Sequence, residues 1–182
     1  MSLVVKFEQG GGTGCIDEAI DLVREALEHC PPGHPKQSVS LVSLACCLSH
    51  RYDQLGVMGD IEEAIVLDRE ALELRPQGHP ERSTSLNSLV AHLSSRYNQL
   101  GGMEDLDEAI VLAQEALDLL PQGHPERSTS LNSIADHLSS RYNQLRRMED
   151  LEEAIVLARE ALALRPPGHP KRSVSLDRKS VV

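Results

Sequence analysis

The sequence repeats itself every 45 residues, and this period constrains the fold more than any single motif does. The segment Arg82–Leu100 recurs nearly unchanged 45 positions later, at Arg127–Leu145. A fixed period between about 20 and 50 residues is typical of solenoids and arrays, because each unit buries its apolar face against its neighbours. Such arrays present surfaces rather than closed pockets, which favours binding over catalysis. All aromatic residues of the chain follow the period: Phe7, Tyr52, Tyr97 and Tyr142.

Each repeat predicts two α-helices, here called A and B. In the unit that starts at Ser83, apolar residues with helical spacing form one stripe for helix A. A break at Gly101-Gly102 precedes acidic residues suited to a helix N-terminus and a second stripe, and Pro121 ends that stripe. No segment alternates with period two, so no strand is expected. The helix A stripe is Leu86, Leu89, Val90, Leu93, Tyr97 and Leu100, and the helix B stripe is Leu106, Ala109, Ile110, Ala113, Ala116, Leu117 and Leu120.

We therefore predict an all-α fold of antiparallel helix pairs, with residues 1–182 forming one array of about 3.5 repeats. Seven full helices are expected, with partial helices at both ends. Because the repeat is cut within a unit at both ends, we expect a fragment of a longer protein or a truncated coding sequence. Its uncapped ends should cause self-association or poor solubility. The expected segments are a partial helix A at 3–9, helix B at 16–30, units at 38–75, 83–120 and 128–165, and a partial helix A at 173–182.

The spacing of small residues in helix B resembles that of the tetratricopeptide repeat (TPR). Two alanines lie seven residues apart and a proline follows five residues later, as in Ala109, Ala116 and Pro121. The segment Gly33–Ala45 is similar to the kinesin-light-chain type of this repeat. It is closer still to the long repeats of fungal proteins that carry a caspase-like CHAT protease domain or a nucleotide-binding switch domain. The resemblance implies a right-handed superhelix, a groove lined by A helices, and protein partners.

The composition of the chain argues against some classes of binding partner. The formal net charge of −10 argues against nucleic acid and anionic membranes as partners, because both require a basic surface. No apolar run is long enough to span a bilayer, and no secretory signal is present, so a cytoplasmic location is expected. The cysteines all fall in the first repeat without metal-ligand spacing: Cys15, Cys30, Cys46 and Cys47. No metal or cofactor is expected.

Three polar series at repeat spacing are expected to be structural. The histidines cannot share a metal, since equivalent positions of stacked helix pairs lie on the order of 20 Å apart, and capping beside a proline is predicted instead. The tyrosines should pack where helices A and B meet, and a tyrosine row facing a ligand is the alternative. The arginines should form exposed pairs with acidic residues at the start of helix B, and each such pair contributes little stability on its own. The histidine and arginine members are His34, His79, His124 and His169, and Arg51, Arg96 and Arg141.

Asn87 and Asn132 are the most informative polar residues for function. They follow the first packing leucine of helix A, on the flank that lines the groove in TPR arrays. An amide side chain both donates and accepts, so a row of them would hold the backbone of an extended peptide. A plain solvated or inter-helix role is the alternative, and Val42 interrupts the row. The neighbours Ser88, Ala91, Ser94 and Ser133 would leave room for ligand side chains, while Asp136 and the net charge favour a ligand with Lys or Arg.

The resulting functional prediction is a non-catalytic protein–protein interaction module that binds a partner protein or an extended peptide. The alternative is the sensor or scaffold arm of a larger fungal protein whose CHAT protease or switch domain lies outside this sequence. A stand-alone enzyme is not expected, because no nucleophile is placed beside a base.

Overall fold

The computed structural model describes residues 13–31, 33–34 and 36–165, and this part of the chain forms seven α-helices and no strand. The all-α prediction is therefore confirmed. Helices α2, α4 and α6 are the predicted A helices, and α1, α3, α5 and α7 are the B helices. The helices are α1 (Thr13–Glu28), α2 (Gln37–Leu55), α3 (Met58–Glu73), α4 (Arg82–Leu100), α5 (Met103–Asp118), α6 (Arg127–Leu145) and α7 (Met148–Ala163).

Helix boundaries differ slightly from the predicted ones. Each A helix begins one residue earlier than expected, whereas each B helix begins three residues earlier and ends two residues earlier. The early end has a steric reason. A residue before proline is disfavoured in the α region, so Arg75 and Leu120, which precede Pro76 and Pro121, cannot comfortably continue the helix. The partial terminal helices and the apolar end residues of the self-association prediction lie outside the described residues: Leu3, Val4, Phe7, Leu176, Val181 and Val182.

Arginines from the following A helix bind carbonyls at the C-terminal end of helix B. Arg82 Nη1 donates to the carbonyl of Arg75 at 2.6 Å. Arg127 Nη1 donates to the carbonyls of Leu117 and Leu120, both at 3.3 Å. The last carbonyls of a helix have no partner within it, and a cationic donor there also opposes the negative end of the helix dipole.

The turn from helix A to helix B requires a left-handed residue. Gly56 and Gly101 have φ of 68° and 70°, and Arg146 takes this conformation at the same repeat position with φ 55°. The N–H of Arg146 donates to the carbonyl of Tyr142 at 2.7 Å, and its guanidinium lies 5.5 Å from the centre of the Tyr142 ring. A non-glycine residue pays a steric cost here, and the cation–π contact offsets part of it.

The helices fall into two compact units, residues 1–100 and 101–182. In unit 1, α1 packs on α2, α3 packs on α2 and α4, and α2 also contacts α4. In unit 2, α6 packs on α5 and α7. Within each unit, some consecutive helices are joined by a linker of only two residues. Because these helices also pack side by side, they must run antiparallel. That the whole chain forms a single right-handed array stays a prediction.

The predicted apolar stripes form the core of the units, except at Leu100, which is the last residue of α4 and is 63% exposed. Ala109 and Ala116 are both fully buried, as their small size at helix contacts predicts. Tyr52 is buried and Tyr97 half-buried, in keeping with a packing role. The buried stripe of α4 comprises Leu86, Leu89, Val90 and Leu93, and its counterpart in α2 comprises Leu41, Leu44, Ala45, Leu48 and Tyr52.

Candidate functional site

The solvent-facing side of the two A helices in unit 1 is the candidate site, here called the A face. It comprises ten side chains of α2 and α4 that lie outside the buried stripes. The two helices contact each other directly. The α2 side has more apolar character, with Val39 47% exposed, whereas small and polar residues dominate the α4 side. The A face consists of Val39, Val42, Ser43, Cys46 and His50 on α2 and Thr84, Asn87, Ser88, Ala91 and Ser95 on α4.

Three predicted site residues of α4 belong to this face. Asn87 and Ala91 are exposed, and Ser88 is half-buried. Ser94 is also half-buried, but its hydroxyl donates to the carbonyl of Val90 at 2.6 Å. That bond engages the Ser94 proton with the backbone of its own helix. Asn87 thus remains a suitable residue for contacting an extended peptide, and its role stays a prediction.

In unit 2 the expectation of an exposed asparagine is wrong. Asn132 is only 5% exposed, and its Nδ2 donates to the carbonyl of Ser128 one turn earlier at 3.0 Å. A short amide side chain reaches the carbonyl four residues back when it folds along its helix, so the Asn132 amide already donates to the backbone of its own helix. Ser133 and Asp136 are half-buried. The two asparagines therefore do not form a matched exposed pair. The expected row of asparagines that would hold a peptide backbone loses one of its two members.

A buried hydrogen-bonded pair beneath the A face was not foreseen. Asp68 of α3 is fully buried, and His92 of α4 is 5% exposed. His92 Nδ1 lies 2.7 Å from Asp68 Oδ2, a distance that permits a charge-assisted hydrogen bond. The other carboxylate oxygen, Oδ1, is buried and has no hydrogen-bond partner among the described residues. Burying an oxygen without a hydrogen-bond partner costs free energy, so its presence here needs an explanation.

Two cysteines of α2 lie close to this pair. Partial burial raises the pKa of the Cys46 thiol, and the charges of Asp68 and Cys47 raise it further. Burial raises the pKa of Cys47 as well. Cys46 nevertheless keeps solvent contact and belongs to the A face. The negative charge of Asp68 therefore acts at the surface between α2 and α4. Both thiols stay protonated, which makes them poor nucleophiles.

A comparison of equivalent positions in the B helices could have identified Asp68 from the sequence. Its position is occupied by Val23, Ala113 and Ala158 in the other B helices, so one acidic residue stands alone at an otherwise apolar position. In unit 2, His137 occupies the position equivalent to His92, and burial lowers its pKa from the ordinary value of 6.5. Similarity between the repeats does not reveal Asp68, because only the difference at this one position distinguishes it.

The arginine prediction is confirmed for Arg51 and Arg141, with one correction. Arg51 on α2 binds both carboxylate oxygens of Asp60 on α3 at 2.7 Å, and its third donor binds Asp17 on α1 at 2.7 Å. The pair was expected to be exposed, but the Asp60 side chain is only 5% exposed. These hydrogen bonds raise the pKa of Arg51 above its ordinary value, with Asp60 the larger cause.

Arg141 repeats the arrangement in unit 2. It binds Asp150 on α7 through two hydrogen bonds, of 2.6 and 3.0 Å, and Asp107 on α5 at 2.8 Å. Each arginine therefore joins three helices of its unit. This role is structural, since the guanidinium donors face carboxylates of the same chain.

The loop histidines also have the predicted structural role. The Nδ1 atoms of His34, His79 and His124 each accept the backbone N–H two residues later, at 3.1 to 3.2 Å. His169 lies outside the described residues. Across residues 13–31, 33–34 and 36–165, no three His, Cys, Asp or Glu side chains are grouped so that they could hold a metal ion. In the same part of the chain, no helix combines the length and apolarity that crossing a membrane requires.

Comparison with solved structures identifies the fold. Two crystal structures of a Podosopora anserina protein, assigned as a kinesin light chain with nearly identical TPR-like repeats, superpose on the chain with TM-scores of 0.71 and 0.69. The fold is TPR-like. Sequence identity is 20% and 21%, and each match covers 95% of this chain and 78% of the other. No family model matches the sequence, and no curated protein does. The TPR-like resemblance is thus confirmed at the level of fold.

Proposed function

We propose that the chain is a non-catalytic interaction module whose A face binds an extended segment of a partner protein. The observation that supports this is the character of the A face in unit 1. Two adjacent helices there present mainly small and polar side chains to solvent. The leucines of their buried stripes lie in the core, and only Leu55 and Leu100, at the helix ends, are exposed among the leucines of these two helices. Ser88 and Ala91 leave space for ligand side chains, and Asn87 offers both a donor and an acceptor to a peptide backbone.

The proposal extends to the partner and the location. The net charge of −10 favours a partner segment that carries Lys or Arg, because complementary charge steers association and discriminates against acidic partners. A cytoplasmic location is part of the proposal. The second candidate, a sensor or scaffold arm of a larger protein, uses the same face and differs in the domains attached to it.

Selection from a random dodecamer display library on the purified chain tests the proposal. Bound peptides should compete with one another for a single site, and Ala91→Arg should abolish their binding because a long cationic side chain would fill the A face. The matched control is Val66→Arg on α3, where Val66 is 53% exposed but lies on a B helix. Binding that survives Ala91→Arg and fails with Val66→Arg would place the site on the B helices and refute the proposal.

A further inference from the structure

The Asp68 carboxylate is an unusual feature of unit 1 that the fold does not explain. Burying an ionised carboxylate is costly unless its oxygens are hydrogen-bonded, and only Oδ2 has a partner. The other B helices have valine or alanine at this position, so the packing does not require an acid. Costly buried polar groups that packing does not need occur preferentially at functional sites.

The location of Asp68 links it to the A face. Asp68 belongs to α3, which packs on both A helices of the unit, and it contacts His92 on α4. His92 directly follows Ala91, which faces solvent on the A face. On α2, Cys46 occupies the repeat position of Ala91 and lies within the electrostatic influence of Asp68. The carboxylate therefore lies under the strip of A face between Cys46 and Ala91.

We propose that Asp68 makes this strip the subsite for one cationic side chain, Lys or Arg, of the bound partner segment. The inference rests on the proposed function and names the residue that sets its specificity. A negative charge in a region of low dielectric attracts a cation more strongly than a fully solvated one does. Two residues lie above it, Cys46 and Ala91, and both are small and uncharged. A long cationic side chain therefore fits between them, and neither position carries a cation that would repel it.

The test uses the full chain and the peptides selected on it from the random library. Selected peptides should share one basic position, and acetylation of a lysine at that position should weaken binding about tenfold. Acetylation removes the ligand charge without altering the protein. The Asp68→Asn variant keeps a side chain that can bond to His92 but lacks the charge, so it should bind the lysine and acetyl-lysine peptides equally. Asp21→Asn, at an exposed acid on α1, is the charge-matched control and should preserve the tenfold difference.

A second variant protects the test against misfolding of Asp68→Asn. Asp68→Ala removes the charge and introduces the residue found at this position in α5 and α7, and it should also abolish the acetylation effect. If selected peptides share no basic position, or if Asp68→Asn and Asp68→Ala retain the tenfold difference, the inference is overturned while the peptide-binding function stands. If no peptide binds the wild-type chain at all, the proposed function and this inference fail together.

Discussion

At the scale of single residues, the departures from the repeat are more informative than the repeat itself. Asp68 and His92 form a buried pair only because an acid replaces a small apolar residue in α3. Asn132 is likewise buried where its counterpart Asn87 is exposed, although the two lie in nearly identical segments. Periodicity predicts that a position belongs to a helix. It does not predict whether a polar side chain there turns to solvent or back onto its own helix.

The Asp68–His92 pair gives the first stability prediction. His92→Leu should destabilise the chain by about 3–5 kcal/mol, because it leaves a buried carboxylate with no partner on either oxygen. Adding Asp68→Ala, the residue found at this position in α5 and α7, should recover most of that loss. Urea unfolding of the single variant, the double variant and the wild type measures both effects. A double variant less stable than His92→Leu would mean that the carboxylate is stabilised by something other than the histidine.

His137 predicts a pH dependence with a defined sign. Burial lowers its pKa in the folded chain below the ordinary value of 6.5, so the unfolded chain takes up the proton first as pH falls. Stability should therefore decrease as pH drops below about 6.5 and stop decreasing below the folded pKa. Replacing His137 by Gln should reduce this slope, measured by thermal melts across pH, whereas His50→Gln, at an exposed position, should retain it. An unchanged slope in His137→Gln would contradict the assignment.

At the scale of helices, the sequence predicted the elements well and their connections only partly. All seven helices appear at the expected places, because long apolar stripes with helical spacing are strong signals. The arginine and aspartate pairs were expected as surface contacts, yet Arg51 and Arg141 each join three helices. The burial of their aspartates depends on which helices pack together, and a single stripe contains no information about that.

The two arms of the Arg141 contact should differ in strength. Asp150 is 6% exposed and bound through two hydrogen bonds, whereas Asp107 is 51% exposed and bound through one. Double-mutant cycles should give a coupling of about 1.5–3 kcal/mol with Asp150 and less than about 1 kcal/mol with Asp107. Arg141→Lys should lose most of the Asp150 coupling, since an ammonium cannot reproduce the two-pronged geometry. Equal couplings would show that burial does not control this contact.

Helix contacts at the alanines provide a further prediction. Ala116 is fully buried in α5, so Ala116→Leu should destabilise the chain by about 1–3 kcal/mol through overpacking. Ala163→Leu is the matched control at an exposed position near the end of α7 and should change stability little. Thermal and urea denaturation compare the two variants. An unchanged melting temperature in Ala116→Leu would show that the helix register proposed from the repeat is wrong.

At the scale of the whole molecule, the 45-residue period predicted a helical array, and the resemblance of the alanine and proline spacing in helix B to the tetratricopeptide repeat implied the TPR-like fold. Each repeat supplies two amphipathic helices that can bury their stripes only against neighbours, and few folds accommodate that arrangement. The candidate site was harder to predict. Its surface residues Asn87, Ser88 and Ala91 were found from their place on helix A, but the charge beneath them comes from another helix. Only packing brings Asp68 under the A face.

The most direct test of the account is to locate a bound peptide on the chain. An isotope-labelled sample titrated with a display-selected peptide reports each backbone amide by NMR. The account predicts that the largest shift changes cluster on the exposed sides of α2 and α4, around Cys46, Asn87 and Ala91. It predicts little change around Val66 on α3 or across α1. Shift changes concentrated on α1 and α3, with α2 and α4 unaffected, would contradict the claim that the A helices form the binding face.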